Sequence, residues 1–301
     1  MEAPLFSIII PTYNRAHLIL DTLNSVKNQS FIDFELIVVD DGSTDNTNEV
    51  VENYISNNKL KNFSYYYKTN GERGAARNYG IERAKGQFLT FLDSDDLFYL
   101  NHLYLASDFI LNNPDIYVFH NAYEFRNQKN ELIRKVVYPK NENLNQAILR
   151  GNLFSCFGMF LKSDIFKDLK FEEDRALSGS EDWLLWLVVS ARFKIHFQSQ
   201  ISGCMIQHDG RSVMSFKEAK LLTRTNLIVN NLLKDKMFVG VYGQKIVNRI
   251  DAHMLTYSAL HLLLSGNKHA AIKFFMNGLK NSPFELFRIR TLAFIKHLFL
   301  K

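Results

Sequence analysis

The sequence predicts an α/β fold in which helices flank a mixed, largely parallel sheet. From residue 5 to about residue 112, short apolar runs alternate with segments of helical period, as a series of βαβ units requires. Two of these runs end in acidic turns and a third ends in a polar turn, so three strands would bring polar groups to one edge of the sheet. The last eighty or so residues are helical in pattern, which predicts an α-helical C-terminal segment.

The composition is that of an ordinary globular protein. The chain has 301 residues, 47% of them hydrophobic and 22% charged, with a formal net charge of +5. Its two cysteines, Cys156 and Cys204, allow no disulfide framework and lack metal-ligand spacing, so we expect reduced thiols in a cytoplasmic protein. No basic segment precedes the first apolar run, so we expect that run to be a strand and not a signal peptide. No run reaches the roughly 18 apolar residues that span a bilayer, so any membrane contact is expected to be peripheral.

The elements of the first half are expected to alternate along the chain. After the first strand, apolar side chains recur at helical spacing, at Leu18, Leu20, Leu23 and Val26. Polar turns separate the strands from the helices. The predicted strands are 6–10, 36–39, 64–68 and 88–92; the predicted helices are 16–28, one that starts after Ser43 or Asp45, 75–84 and 101–112. Right-handed crossovers would join the parallel strands.

The pattern changes after Pro114. The runs 116–119 and 132–138 indicate strands added to a mixed sheet. Ser180 is a predicted N-cap for an apolar helix over 183–191, and Glu181 and Asp182 would favour the positive end of that helix. We therefore expect one domain over residues 1–215, with halves at 1–112 and 113–215, and a helical segment over 216–301.

The two acidic turns suggest a nucleotide site and a divalent metal. Asp93 and Asp95, two residues apart at a strand end, would point to one side of the strand. Carboxylate oxygens suit magnesium or manganese. Each turn also has a simpler interpretation, since the Asp93–Asp96 run is typical of a helix N-cap and Asp41-Gly42-Ser43 is typical of an Asx turn.

Five motifs occur in order over about two hundred residues. They are Pro11-Thr12-Tyr13-Asn14-Arg15, Val39-Asp40-Asp41-Gly42-Ser43-Thr44-Asp45, the stretch from Asn70-Gly71 to Ala76-Arg77-Asn78-Tyr79-Gly80, Leu92-Asp93-Ser94-Asp95-Asp96, and Glu181-Asp182-Trp183. Together the motifs resemble family 2 glycosyltransferases of the glycosyltransferase-A fold. The resemblance implies a Rossmann-like mixed sheet, with a nucleotide-binding half at 1–112 and an acceptor half at 113–215. It also implies transfer of a sugar from a nucleotide diphosphate donor to a hydroxyl, with inversion.

The resemblance also implies which residues bind the donor. Asp41 would contact the nucleobase beside the walls of its pocket, and Arg77 would face the diphosphate, which suits a bidentate guanidinium. Arg73 is more simply a surface residue. The implied donor-binding residues are Pro11, Thr12, Tyr13, Arg15, Asp41, Arg77, Asp93 and Ser94.

The resemblance also implies metal ligands and a general base, at four further positions. Asp95 would be the principal metal ligand, while Asp93 would be a second ligand or a ribose partner; Asp96 could cap the following helix. His208 lies in a segment that resembles the family's late H-x-x-x-S motif, although Ile206 stands where the family usually has arginine. Asp182 matches the position of the general base, with Glu181 as the second candidate, and a plain helix N-terminus is the alternative interpretation for both.

We therefore expect an inverting enzyme of the hexosyltransferase type. It would use a manganese or magnesium ion (Mn2+ or Mg2+) and a UDP-sugar, and the acceptor would be a glycan or a lipid-linked oligosaccharide in the synthesis of a cell-surface polysaccharide. A catalytically silent nucleotide-sugar-binding or scaffold subunit is the alternative, against which the intact Asp93, Asp95 and Asp182 argue. A nicotinamide dehydrogenase is excluded because no GxGxxG follows the first strand.

The C-terminal segment mixes Leu, Phe and Ile with Lys and Arg. Such helices could contact the inner face of an anionic membrane, pack on the catalytic domain, or join two copies in a homodimer. Nucleic-acid binding is not expected, because no recognised motif accompanies the basic residues. The sequence leaves open the donor sugar, the acceptor, the linkage and the oligomeric state.

Overall fold

The computed structural model describes residues 3–139, 141–207 and 218–299. The chain divides into two compact units. The first contains residues 1–144, 153–185 and 193–211, and the second contains residues 145–152, 186–192 and 212–301.

A nine-stranded mixed sheet forms the centre of the first unit. Its strands are β1 (Phe6–Thr12), β2 (Phe34–Asp40), β3 (Phe63–Tyr67), β4 (Phe88–Phe91), β5 (Leu97–Phe98), β6 (Val118–Asn127), β7 (Leu132–Val136), β8 (Met159–Lys162) and β9 (Ile195–Gln207). They lie in the order β3-β2-β1-β4-β8-β6-β9-β5, and β7 pairs with β6. The pairs among β1 to β4 are parallel, whereas β8 is antiparallel to β4 and β6. This arrangement confirms the predicted mixed α/β sheet.

The helices are α1 (Ile19–Lys27), α2 (Thr47–Asn57), α3 (Glu72–Ile81), α4 (His102–Leu111), α5 (Leu144–Ala147), α6 (Glu181–Ser190), α7 (Glu218–Lys234), α8 (Lys236–Tyr242), α9 (Gln244–Leu264), α10 (Lys268–Asn281) and α11 (Ile289–Phe299). A 3-10 turn at Pro283–Phe287 precedes α11. Helix α6 starts two residues earlier than expected, so Glu181 and Asp182 form its first turn. Among the described helices, none is both long enough and apolar enough to cross a bilayer.

Three strands were missing from the sequence-based prediction. β5 has only two residues, too few to form a recognisable run. β8 has four residues, too few to show a period, and it directly precedes a 3-10 turn. β9 alternates irregularly between buried and exposed residues, and its register with β6 shifts twice. A strand without a steady period of two gives no clear signal in the sequence.

The strand β1 lies at the centre of the parallel part of the sheet, and all seven of its residues are buried. Its continuous apolar run is typical of a strand covered on both faces. Helix α3 packs against it so closely that a Cβ at Gly80 would lie 2.5 Å from Cγ2 of Ile9. This close contact fixes the position of α3, the helix that carries Arg77.

Gly80→Ala should therefore destabilise the first unit by about 1–3 kcal/mol, because the added methyl overpacks the contact with β1. Gly240→Ala in helix α8 is the matched control, since within the described part of the chain no neighbour outside the helix's own backbone lies within 4 Å of a Cβ added at Gly240. The control should be stabilising by about 0.4–1 kcal/mol. Amide hydrogen exchange within each variant's own unit would measure both changes; stabilisation by Gly80→Ala would contradict the close packing of α3 on β1.

The second unit has its own apolar core, formed by helices α7, α9, α10 and α11. The rings of Phe275 and Phe294 stack at 4.2 Å between centroids and hold α11 against α10. A buried polar group lies beside this core: Glu285 accepts hydrogen bonds from the Thr256 hydroxyl at 2.8 Å and pairs with Arg290 at 3.2 Å. The turn before α11 is therefore joined to α9 by hydrogen bonds.

Candidate active site

The polar turns that follow β1 and β2 are joined to each other. Asn14 adopts a left-handed backbone conformation with φ of 51°, which asparagine tolerates better than most residues. The side-chain oxygen of Asn14 accepts a hydrogen bond from the backbone N–H of Thr44 at 2.7 Å. The backbone N–H of Asn14 donates to the Ser43 hydroxyl at 2.8 Å. The backbone N–H of Arg15 donates to the Thr47 hydroxyl at 3.0 Å. The two turns therefore form one connected surface at the carboxyl edge of the parallel strands.

Asp41 is buried at this edge, and three groups bind its carboxylate. The Lys68 ammonium lies 2.8 Å from Oδ1, the backbone N–H of Gly71 donates to the same oxygen at 2.9 Å, and the Asn70 side chain donates to Oδ2 at 3.1 Å. Neither Lys68 nor Asn70 was singled out as a partner of Asp41 from the sequence. Contacts between loops about 30 residues apart leave no periodic signal in the sequence.

The other predicted donor contacts lie along the same edge. Pro11 and Thr12 are buried at the end of β1, while Tyr13 is exposed and Arg15 is partly exposed. The buried Thr12 hydroxyl has no hydrogen-bond partner among the residues that the structure describes. Ser94 is buried in the turn after β4.

Three carboxylates meet in that turn. Asp93, Asp95 and Asp96 each offer an oxygen within 4.8 Å of the others, which is close enough to hold one metal ion. Asp93 and Asp95 are partly exposed, whereas Asp96 is buried and accepts the backbone N–H of Ile206 at 3.2 Å. Asp96 is not a helix cap, because the short strand β5 follows it and α4 begins only at His102.

A buried arginine connects this turn to the first turn of α6. The Arg77 guanidinium donates from Nη2 to Asp93 at 2.8 Å and from Nη1 to Glu181 at 2.6 Å. Its side chain is 1% exposed. Although burial works against the positive charge, the carboxylates of Asp93, Glu181 and Asp182 keep the pKa of Arg77 well above its ordinary value. Arg77 thus brings the two acidic segments to one place.

The two acidic residues of α6 have different surroundings. Glu181 is buried: besides Arg77 it accepts the backbone N–H groups of Gly179 at 2.6 Å and Ser180 at 3.0 Å. Asp182 is partly exposed; its Oδ1 accepts the N–H of Trp183 at 2.7 Å, and the Cys156 thiol donates to its Oδ2 at 3.6 Å. Of the two, Asp182 is the one that solvent reaches.

Two residues of this site were not assigned to it from the sequence. Arg73 was expected at the surface but is only partly exposed. Burial lowers the pKa of its guanidinium, but the nearby carboxylates of Asp93, Glu181 and Asp95 raise that pKa above its ordinary value. The buried Cys156 touches Asp182, and burial raises the pKa of its thiol, so the thiol stays protonated and able to donate. Cys156 belongs to none of the five motifs, and Arg73 lies within the third motif but was interpreted there as a surface residue.

His208 lies outside the described residues. Trp183 and Trp186 are both buried, as expected for tryptophans that are followed by leucine.

Comparison with known proteins identifies the family of the chain. Residues 7–169, more than half of the chain, match the model of the family described as "Glycosyl transferase family 2". The chain belongs to this family. An Escherichia coli member named UDP-Glc:alpha-D-GlcNAc-diphosphoundecaprenol beta-1,3-glucosyltransferase WfgD is 33% identical over 189 residues, which cover 63% of this chain and 71% of that protein.

The chain spans only about a third to a half of the length of several curated relatives that it matches. An uncharacterized glycosyltransferase of Rickettsia bellii is 29% identical over 240 residues, which cover 75% of this chain but only 32% of that protein. Among solved structures, S. aureus TarS 1-349 in complex with UDP-GlcNAc has a TM-score of 0.70 at 23% identity, over 99% of this chain and 89% of that TarS 1-349 chain. At this identity, the likeness to TarS shows the shared glycosyltransferase-A type of fold.

Proposed function

We propose that the protein is an inverting glycosyltransferase that moves a sugar from a UDP-sugar to a hydroxyl group of a glycan or lipid-linked acceptor. The observation that carries this proposal is the double ion pair of Arg77 with Asp93 and Glu181. Through it, the carboxylate cluster after β4 and the partly exposed Asp182 come to the same site. Inverting transfer needs both groups, one for the leaving diphosphate and one for the acceptor's proton.

Asp182 is the proposed general base. Its Oδ2 would take the proton of the acceptor hydroxyl as that oxygen attacks the anomeric carbon, and the bond to the nucleoside diphosphate breaks on the opposite face. The N–H of Trp183 and the thiol of Cys156 fix the orientation of the carboxylate. Glu181 is less suited to this role, because it is buried and its charge is paired with Arg77.

The carboxylate cluster fits a divalent metal. Three carboxylate oxygens within 4.8 Å are the hard donors that Mg2+ and Mn2+ prefer. Asp95 would be the principal ligand and Asp93 the second, since the buried Asp96 already holds the N–H of Ile206. A metal bound there would act as a Lewis acid for the charge that develops on the diphosphate. The partly exposed Arg73 beside the cluster supports binding of the same diphosphate, whereas the buried Arg77 is already paired with Asp93 and Glu181 and would act by holding these carboxylates in place.

A uridine nucleotide is the proposed donor carrier. Asp41 would accept a hydrogen bond from the base, and Thr12 has a buried hydroxyl without a partner among the described residues, which a bound nucleotide could satisfy. The name of the E. coli relative includes UDP-Glc as donor and a diphosphoundecaprenol acceptor, which supports a UDP-sugar and a lipid-linked acceptor here. The expected setting is synthesis of a cell-surface polysaccharide, at the inner face of the membrane.

Calorimetry with UDP, GDP, CDP and their common sugar conjugates, with and without manganese, tests the donor and the metal together. We expect UDP compounds to bind, and binding to weaken at least about tenfold, or 1.4 kcal/mol, in Asp95→Ala or without manganese. The control is Asp168→Ala, which removes an exposed carboxylate of the same unit and should bind like wild type. If a folded sample bound none of the nucleotides, the transferase proposal would fail and a scaffold subunit would be the better conclusion.

A further inference from the structure

Large apolar side chains are exposed next to one another in sequence at the end of the second unit. Phe287 and Ile289 are each 86% exposed, on either side of the junction between the 3-10 turn and α11. We define the apolar face as the set of exposed residues Phe284, Leu286, Phe287, Ile289, Leu292, Ile295 and Phe299. Single exposed apolar residues are ordinary, but seven within sixteen consecutive positions of one turn and one helix indicate an interaction surface.

Helical geometry places the α11 members of this face on one side. Ile289, Leu292, Ile295 and Phe299 follow one another at intervals of three or four residues, so they share one side of the helix. The buried residues Thr291 and Phe294 lie on the other side, against the core of the unit. The helix is therefore apolar on both sides, and its own unit covers only one of them.

The apolar face is held in place by buried contacts. The Thr291 hydroxyl donates to the Glu285 carbonyl at 2.6 Å, and Glu285 itself is bonded to Thr256 and Arg290. Arg290 also contacts the ring of His253 in α9. Because these bonds fix both the turn and α11 on α9, the exposed side chains form a defined surface.

The second unit is rich in positive charge. Between residues 236 and 299 the sequence has nine Lys or Arg residues and two acidic residues, Asp251 and Glu285. Glu285 is already paired with arginine, and the Asp251 carboxylate accepts a hydrogen bond from Asn281 at 2.5 Å. Arg249 lies over the ring of Phe284 at 5.5 Å, so cationic and apolar groups are directly adjacent.

We propose that the second unit docks on an anionic lipid surface through the apolar face. Apolar side chains beside Lys and Arg match the two layers of such a surface, the acyl boundary and the negatively charged head groups. A second copy of the chain fits less well, because a two-fold dimer would set the same basic surface against itself. The inference does not depend on the proposed function, since it concerns residues of the second unit alone.

Sedimentation with phosphatidylcholine vesicles, with and without phosphatidylglycerol, tests the docking surface. The full chain should sediment with vesicles that contain phosphatidylglycerol, less so at high salt, and little with phosphatidylcholine alone. The double variant Phe287→Gln, Ile289→Gln should lower the partition at least tenfold. Ile32→Gln is the matched control: this isoleucine of the first unit is 85% exposed, and its replacement should change nothing.

Two outcomes would overturn the proposal. One is a vesicle experiment in which the double variant binds as well as wild type, or in which wild type does not bind the vesicles. The other is a wild-type dimer in analytical ultracentrifugation that the double variant dissociates, which would assign the apolar face to a second copy. Titration with UDP should give the same UDP affinity for wild type and the double variant. Loss of vesicle binding can therefore be distinguished from failure of the donor proposal.

Discussion

Asp182→Asn is expected to lower the turnover number about 10³-fold while it leaves the affinity for a UDP-sugar close to that of wild type. Asparagine keeps the shape of the side chain and can still accept the N–H of Trp183, which aspartate accepts at 2.7 Å. It cannot take a proton from an acceptor hydroxyl. The loss of one positioned general base typically costs between about 10² and 10⁴ in rate.

Release of UDP in the presence of an acceptor measures the turnover number, and a panel of sugars, oligosaccharides and polyprenyl diphosphate sugars supplies the acceptors. Calorimetry with UDP and manganese measures donor affinity on the same samples. Asp168→Asn makes the same chemical change at an exposed position of the first unit and should keep full activity. Near wild-type turnover in Asp182→Asn would remove Asp182 from the role of base. Equal loss of affinity and turnover would assign it to donor binding.

The surroundings of Asp182 could not be predicted from the sequence, because residues from distant segments form them. The motif Glu181-Asp182-Trp183 indicates a carboxylate at a helix start, and the structure places it in the first turn of α6. The motif does not indicate which of the two acids is buried. That depends on Arg77, a residue 104 positions earlier in the chain. The Cys156 thiol reaches Asp182 from a third segment.

The parts of the fold that the sequence predicted are those with a strong local pattern. β1 and β2 are continuous apolar runs that end in polar turns, and both lie where their patterns place them. β8 and β9 have weak patterns because their pairing partners, β4, β5 and β6, determine them more than their own residues do. In the same way, the acidic turn after β4 was predicted, but the use of Asp96 to hold Ile206 in β9 depends on the tertiary fold.

Arg77→Met is expected to destabilise the first unit by about 3–5 kcal/mol, since it leaves the carboxylate of Glu181 buried without its counter-charge. Both side chains of this pair are almost fully buried, at 1% and 3% exposure, so solvent screens the interaction little. Methionine fills a similar length of the cavity, so the loss of charge pairing dominates over the loss of volume. Amide hydrogen exchange in α3 and β1 would measure the change within the first unit alone.

A double-mutant cycle separates the charge pair from the packing around it. When Glu181→Gln is combined with Arg77→Met, the total loss should be smaller than the sum of the two single losses by about 0.5–3 kcal/mol, because neither partner is then left as an unpaired charge. Lys167→Met is the control: its ion pair with Asp164 is as short, at 2.6 Å, but both side chains are exposed, so we expect little change in stability. Additive losses in the cycle would mean that Arg77 stabilises the site by packing against Phe171, whose ring centroid lies 5.2 Å from the guanidinium carbon. A loss below the additive value would instead support the buried ion pair as the link that holds the turn after β4 and the start of α6 together.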